Sequence, residues 1–310
     1  MKGLVTKSTG SWYFVKYDNA ITACRIRGKF RMDGIKSTNP VTVGDQVEFE
    51  LEPGSEQGII TKIYPRKNYI IRKSVNLSKQ THIIAANIDQ VFLMITLDNP
   101  PTYPKFIDRF LATAEAYSIP AVLLFNKIDL YHKDLITAKD ALIKTYRDIG
   151  YTCLEISATE GINIEQLKSM MKDKVSMVAG HSGVGKSTLI NAIDPSLSLK
   201  TSLISQQHRQ GQHTTTFAEM FDLPFGGAII DTPGIKGFGV VDFNKEEVGD
   251  YFREIFTRKS ACKFNNCLHV NEPQCAVKKA VEDGEIATSR YESYVQLLEE
   301  EQENYRLDFF

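Results

Sequence analysis

The chain is predicted to be multidomain, with a small OB-like β-barrel first, a parallel α/β sheet in the middle and a helical metal-binding module last. Three observations carry that expectation. Short runs of alternating polarity separated by Gly, Asn and Asp turns occupy the first 70 or so residues. From residue 88 onward, apolar strand-like runs alternate with amphipathic stretches, the pattern of a parallel sheet covered by helices. Beyond about residue 240 the chain is polar and helical around four metal-ligating side chains. The expected divisions are 1–72, 73–239 and 240–310. A chain of 310 residues with 42% apolar content can bury a core in each region.

In the first region, W-Y-F-V-K-Y (12–17), a D-N turn and I-T-A-C-R-I-R-G-K-F-R (21–31) read as paired strands. Val47, Phe49 and Leu51 alternate with Glu48, Glu50 and Glu52, so one face is expected inside the barrel. Residues 1–80 hold fourteen Lys and Arg against seven Asp and Glu, although the whole chain carries a net charge of −1. This region is therefore the nucleic-acid candidate. Arg25, Arg27 and Lys29 are placed on one face, where they can track phosphates. A solvated basic face is the alternative. Trp12, Tyr13 and Phe14 either stack bases or fill the core. Residues 65–73 (P-R-K-N-Y-I-I-R-K) read as a basic connector.

The middle region opens with a strand in I-D-Q-V-F-L-M-I-T (88–96), and K-D-A-L-I-K-T-Y-R-D-I-G (139–150) reads as a helix. Four motifs then follow in an unusual order. N-K-I-D (126–129) ends the strand-like I-P-A-V-L-L-F (119–125), and S-A (157–158) follows Y-T-C-L-E-I (151–156). G-H-S-G-V-G-K-S (180–187) comes next, between V-S-M-V-A (175–179) and the helix-patterned S-T-L-I-N-A-I, and D-T-P-G (231–234) comes last. A G domain ordinarily begins with the phosphate loop, so these motifs read as a circular permutation, which chains tolerate when their original termini lie close on the surface.

Each motif has a chemical reason. Backbone N–H groups of Gly180, His181, Ser182, Gly183, Val184 and Gly185 can close around phosphate oxygens at a helix N-terminus, with Lys186 reaching the outer phosphates. Ser187 is a magnesium ligand, Thr188 is the last expected GTP-binding residue of this stretch, and Asp231 holds magnesium directly or through water. Gly234 can bring its N–H to the γ-phosphate without a Cβ in the way. Asp129 can accept from guanine N1–H and its exocyclic amine, donors that adenine lacks. Asn126 braces the loop, Lys127 packs along the base, Ile128 completes the turn, and N–H groups near Ser157 and Ala158 reach O6. Ile235 stands where many G proteins carry a water-orienting glutamine. The polar stretch 196–216 is the expected first switch, with Thr215 favoured as the magnesium cap. His213 either orients the attacking water or is a solvated loop histidine.

Cys262, Cys267, His269 and Cys275 form C-x4-C-x-H-x5-C within fourteen residues. Three thiolates and an imidazole satisfy a tetrahedral structural zinc and leave no open position. Cys24 and Cys153 read as buried small hydrophobes. The N-terminus M-K-G-L-V-T-K-S has no apolar signal core, and no apolar run has the length of a membrane span. A soluble, cytoplasmic protein without membrane partners is expected.

The basic barrel, the permuted motifs and the C-x4-C-x-H-x5-C module in that order resemble the ribosome small-subunit-dependent GTPases of the RsgA family, also called YjeQ or YloQ. G-Q-H-T-T-T (211–216) and the apolar Ile235 fit the same pattern. The resemblance implies a circularly permuted P-loop GTPase, monomeric, converting GTP to GDP and phosphate with Mg2+ and carrying one structural Zn2+. It further implies binding to the immature small ribosomal subunit and its rRNA, turnover stimulated there, and release late in maturation. A GTP-gated module for another RNA, or a zinc-dependent interaction protein with a vestigial nucleotide site, are the alternatives; the intact Lys186, Ser187, Asp129 and Asp231 speak against the second.

Overall fold

The structure is a computed structural model that describes residues 1–26, 40–73, 81–197, 218–231 and 244–299. Strands β1 (Lys2–Ser8), β2 (Tyr13–Tyr17), β3 (Ala20–Ile26), β4 (Gln46–Leu51) and β5 (Gly58–Ile63) pair in the order β1-β2-β3-β5-β4, and β4 returns to β1. The sheet thus closes into the five-stranded OB arrangement. Val5, Val15, Cys24, Val47, Phe49 and Ile60 fill it. The expected alternation holds through Phe49 and then stops. Leu51, the last residue of β4 and paired with Gly58, is 50% exposed.

Residues 65–73 are more than a connector. Strand β6 (Tyr69–Lys73) pairs antiparallel with β7 (Thr81–Ala86), and Ile70 and Ile83 are buried, so the apolar portion of that segment is recruited to a two-stranded ribbon. The barrel is fastened to this ribbon by main-chain contact. Gly44 has φ +91°, and a Cβ there would lie 2.0 Å from the Ala86 carbonyl oxygen, so only glycine permits the approach. Arg66 grips the buried Asp45 with two N–H donors at 2.6 Å each and donates to the Pro40 carbonyl at 2.8 Å.

The α/β domain is built on β8 (Gln90–Ile95), β9 (Ala121–Phe125), β10 (Thr152–Glu155), β11 (Val175–Ala179), β12 (Glu219–Asp222) and β13 (Ala228–Asp231). These lie in the order β10-β9-β8-β11-β13-β12, parallel except for β12. Along β8, Val91, Leu93 and Ile95 enter one core while Phe92 and Met94 enter the other. Both faces are therefore covered, as continuous apolar runs require. The helices are α1 (Pro104–Ala116), α2 (Lys133–Asp148), α3 (Ile164–Met171) and α4 (Lys186–Ile193). Strand β12 also pairs with barrel strand β1 at Lys7↔Glu219, which joins the barrel and the α/β domain in a single continuous sheet. Ion pairs Lys7–Glu219 at 3.0 Å and Lys16–Asp222 at 2.6 Å flank that seam.

The C-terminal module comprises α5 (Arg253–Lys259), α6 (Ala276–Glu282) and α7 (Thr288–Glu299), preceded by a short helical turn at Val248–Tyr251. It has its own core of Val248, Phe252, Ile255, Val277, Ile286 and Tyr294, which also takes in Ala112 of α1. Docking onto α1 is completed by a buried ionic cluster. Arg290 of α7 donates to both oxygens of Glu254 at 2.7 and 3.1 Å and to Asp108 of α1 at 2.8 Å, and Tyr146 of α2 donates to Asp108 at 2.7 Å. Burial opposes the Arg290 charge, yet Asp108 and Glu254 raise its proton affinity above that of a free guanidinium. Arg253 repeats the theme nearer the surface, bonding Glu115 at 2.7 Å and the Gly150 carbonyl at 2.8 Å.

Arg290→Met should therefore lower unfolding stability by about 3–5 kcal/mol in urea titration, because two buried carboxylates lose their cation. A change within about 0.5 kcal/mol, the range of an ordinary surface substitution, would contradict the clamp.

Candidate nucleotide site and metal centre

The parallel registers bring the C-terminal ends of β9, β8 and β11 side by side, the edge where open α/β sheets bind ligands. The sequence continues from those ends into N-K-I-D and the phosphate loop, with S-A after β10. Asn126 joins all three. It is 2% exposed; its Nδ2 donates to the Val184 carbonyl at 2.8 Å, and its Oδ1 accepts the Ala158 N–H at 3.1 Å. Lys127 adopts a left-handed backbone, φ 63°, and its ammonium donates to the Gly183 carbonyl at 3.0 Å and the Asn99 carbonyl at 2.5 Å. The turn Ile128–Leu130 then presents Asp129 on the surface. Ser157 is buried, and its hydroxyl accepts the Glu160 N–H at 3.1 Å, which holds the S-A loop.

The phosphate loop requires glycine where its backbone turns. Gly180, Gly183 and Gly185 have φ of 147°, 83° and 101°, and a Cβ on Gly185 would sit 2.6 Å from Asn126 Nδ2. Val184 is buried and His181 packs its ring on Phe106 of α1, centroids 3.8 Å apart. Burial and the neighbouring Lys186 charge push the His181 pKa down, favouring the neutral ring. The Lys186 ammonium donates to the Gly180 and His181 carbonyls at 2.6 and 2.5 Å. Desolvation lowers its pKa, so an anion held by the loop would be met by an under-solvated cation. Ser182, Ser187 and Thr188 lie at the surface of the loop and of the first turn of α4, Ser187 and Thr188 being in that turn. Asp231 ends β13 one residue past the Met177↔Ile230 pair, which brings its backbone up beside the strand leading into the loop.

The cysteine cluster is assembled in space. Its four ligand atoms lie within 4.8 Å of one another. A zinc tetrahedron with Zn–S near 2.3 Å and Zn–N near 2.0–2.1 Å has edges of about 3.8 Å between sulfurs and about 3.5 Å from sulfur to nitrogen. Cys262 and Cys275 sulfurs are 3.9 Å apart, and His269 Nδ1 is 3.5 and 3.4 Å from them. The donor set and its spacing fit the ion. Desolvation and the adjacent thiols push Cys267 up to about 12, so its thiolate needs a bound cation beside it. The loop is held from outside as well: Glu272 accepts the N–H groups of Leu268, Val270 and Asn271, while Tyr291 and Tyr294 donate to the His269 and Leu268 carbonyls.

On the barrel, Arg25 is exposed and its guanidinium stacks 4.0 Å above the Trp12 ring, while Tyr13 is buried. Arg27, Lys29, His213, Thr215 and Gly234, and the side chain of Asp231, lie outside the described residues. Sequence reasoning missed Asn99 and Tyr131, both of which touch the N-K-I-D turn. Only their proximity to the motifs in the folded chain marks them.

A family model described as RsgA GTPase matches residues 63–241, and one described as RsgA N-terminal domain matches residues 2–60. The chain belongs to the RsgA GTPase family. It is accordingly a GTPase, a hydrolase acting on GTP. Among RsgA relatives, a protein of Christiangramia forsetii named small ribosomal subunit biogenesis GTPase RsgA is 65% identical over 99% of both chains. One of that name from Flavobacterium psychrophilum is 60% identical over 100% of this chain and 96% of the relative. The crystal structure of YjeQ from Thermotoga maritima superposes with a TM-score of 0.76 at 36% identity, covering 96% of this chain and 97% of that one. YloQ, titled a circularly permuted GTPase, gives 0.74 at 31% identity over 96% and 93%.

Two outcomes are expected. Asp129→Asn should weaken GTP binding by roughly 100-fold, the loss of two hydrogen bonds to a charged acceptor, and shift preference toward xanthine nucleotide; titration with fluorescent GTP and XTP analogues measures it. Chelator treatment should raise amide exchange across 262–275 while leaving nucleotide affinity unchanged, measured by hydrogen-exchange mass spectrometry and nucleotide titration.

Proposed function

We propose that this chain is a cytoplasmic, monomeric, small-subunit-stimulated GTPase that acts late in maturation of the small ribosomal subunit, contacts its rRNA and leaves after hydrolysis. The observation that carries the proposal is the juxtaposition, through Asn126, of a phosphate loop and a guanine reader in a chain 65% identical to a protein named for small-subunit biogenesis. In this scheme the loop 180–188 and the turn 126–129 hold GTP, with Ser157 and Ala158 at the base. Lys186 balances charge on the outer phosphates. Ser187, Asp231 and Thr215 would hold magnesium, which supplies charge neutralisation between the β- and γ-phosphates when bound with the nucleotide. His213 orients the attacking water in place of the glutamine that Ile235 replaces, and Gly234 senses the γ-phosphate.

The basic barrel, residues 1–72 in this division, and the zinc module, 240–310, flank the G domain and supply the RNA contacts. The Arg25–Trp12 stack offers a cation and an aromatic face together, a combination suited to unpaired nucleotides. Arg27 and Lys29 extend the basic face. Support for a nucleotide-dependent grip comes from the seam at Lys7↔Glu219: strand β12 directly follows the expected first switch, so rearrangement there acts on a strand shared with the barrel. Among the described residues no helix is long and apolar enough to cross a membrane.

GTP turnover should rise on addition of purified small subunits and stay flat with large subunits. His213→Ala should lose that rise and keep nucleotide binding. Turnover indifferent to small subunits would defeat the proposal while leaving the GTPase assignment untouched.

A further inference from the structure

Tyr131 lies one residue beyond the helical turn that carries Asp129, and its ring is buried, with 8% of its surface exposed. Its hydroxyl has two partners, and both belong to the frame of the nucleotide site. It donates to the Asn126 carbonyl oxygen at 2.7 Å and accepts the Leu97 N–H at 3.0 Å. Leu97 lies two residues past the end of β8, and that same segment presents the Asn99 carbonyl to Lys127. A leucine or phenylalanine would satisfy the need for apolar volume here. It would also remove the partner that the hydroxyl supplies to each of these two main-chain groups.

The position of the hydroxyl explains what such a bridge does. The N-K-I-D turn leaves β9 through a left-handed Lys127, so the chain changes direction between Phe125 and the helical turn. The Asn126 N–H is tied to the Ile95 carbonyl at 2.8 Å, and the Tyr131 hydroxyl ties the Asn126 carbonyl from the other side. Fixing both ends of one residue aims its side chain at the phosphate loop and sets where the following Asp129 carboxylate emerges.

We propose that Tyr131 is a positioning residue for guanine recognition, its hydroxyl bridging Leu97 N–H and Asn126 C=O so that Asp129 meets the base edge in register. The inference rests on the assignment of Asn126–Asp129 as the base reader. Burial raises the Tyr131 pKa against the lowering effect of the Leu97 N–H, and a phenol is in either case a donor at neutral pH.

The test uses the full chain with Tyr131→Phe and compares GTP with ITP, whose base lacks the exocyclic amine and offers Asp129 one donor fewer. The parent should prefer GTP. In the variant, KM for GTP should rise about three- to tenfold, the worth of one or two net hydrogen bonds, with kcat unchanged and the GTP/ITP preference narrowed. A KM unchanged from the parent overturns the inference. So does an equal rise for both nucleotides, or a lowered Tm with the preference intact, since each marks a role confined to the fold. A parent that does not distinguish GTP from ITP overturns the base reader itself, a result separable from failure at Tyr131 alone. If the phenylalanine variant melts below the assay temperature, site-specific 3-fluorotyrosine at position 131 keeps both contacts with a more acidic hydroxyl; its GTP/ITP ratio should depart from the parent's, and an unchanged ratio overturns the proposal.

Discussion

One buried amide organises the nucleotide site. Asn126 joins a carbonyl 58 residues downstream in the phosphate loop and an N–H 32 residues downstream in the S-A loop. Removing either bond would strand a buried polar group at a cost of about 1–3 kcal/mol, but the larger effect is geometric. The phosphate loop and the S-A loop are held at a fixed separation in the chain itself, so a ligand bound across them would not have to order them. The amide is indifferent to which loop was made first. That is why the motif order can be permuted without altering the site.

Helix α1 is a wall common to two otherwise separate regions. Phe106, near its start, packs on His181 of the phosphate loop, and Asp108, Ala112 and Glu115 meet the C-terminal module. The Cys3His module thus sits on the helix that buttresses the phosphate loop, held by a guanidinium between two carboxylates. The barrel joins the central sheet at its β12 edge. The two outer modules therefore have distinct attachments to the central domain, a shared helix for one and a shared strand for the other.

Much of this was legible in the chain because the motifs answer backbone requirements. Glycines at 180, 183 and 185 announce positive φ, and three thiols and an imidazole at close spacing announce a cluster that could hold a metal ion before any fold is known. Runs apolar on nearly every residue, such as β8 and β9, point to a sheet covered on both faces. What was not legible depends on distant partners. Arg290 and Asp108 are 182 residues apart, and nothing in either neighbourhood predicts the other. Tyr131 looks like any aromatic after a turn until Leu97 is seen beneath its hydroxyl. The 65–73 segment reads as linker because the strand it pairs with, β7, carries only a short apolar run. Leu51 fails the alternation at the last residue of its strand, where its partner on β5 is Gly58, which has no side chain to pack against it.

The permuted order also sets a timetable for synthesis. Strands β8, β9 and β10 are neighbours in the sheet and emerge consecutively, so that half can assemble early. The free edge of β8 then waits for β11, which arrives only after residue 175. Barrel strand β1, made first, meets β12 more than 200 residues later. A long-range seam of this kind forms last, because loop closure must precede its gain. During translation the barrel can meet the 69–86 ribbon early, through Gly44 and Arg66, whereas its strand seam with the central sheet is added only once the strand at 219–222 has left the ribosome that is making it.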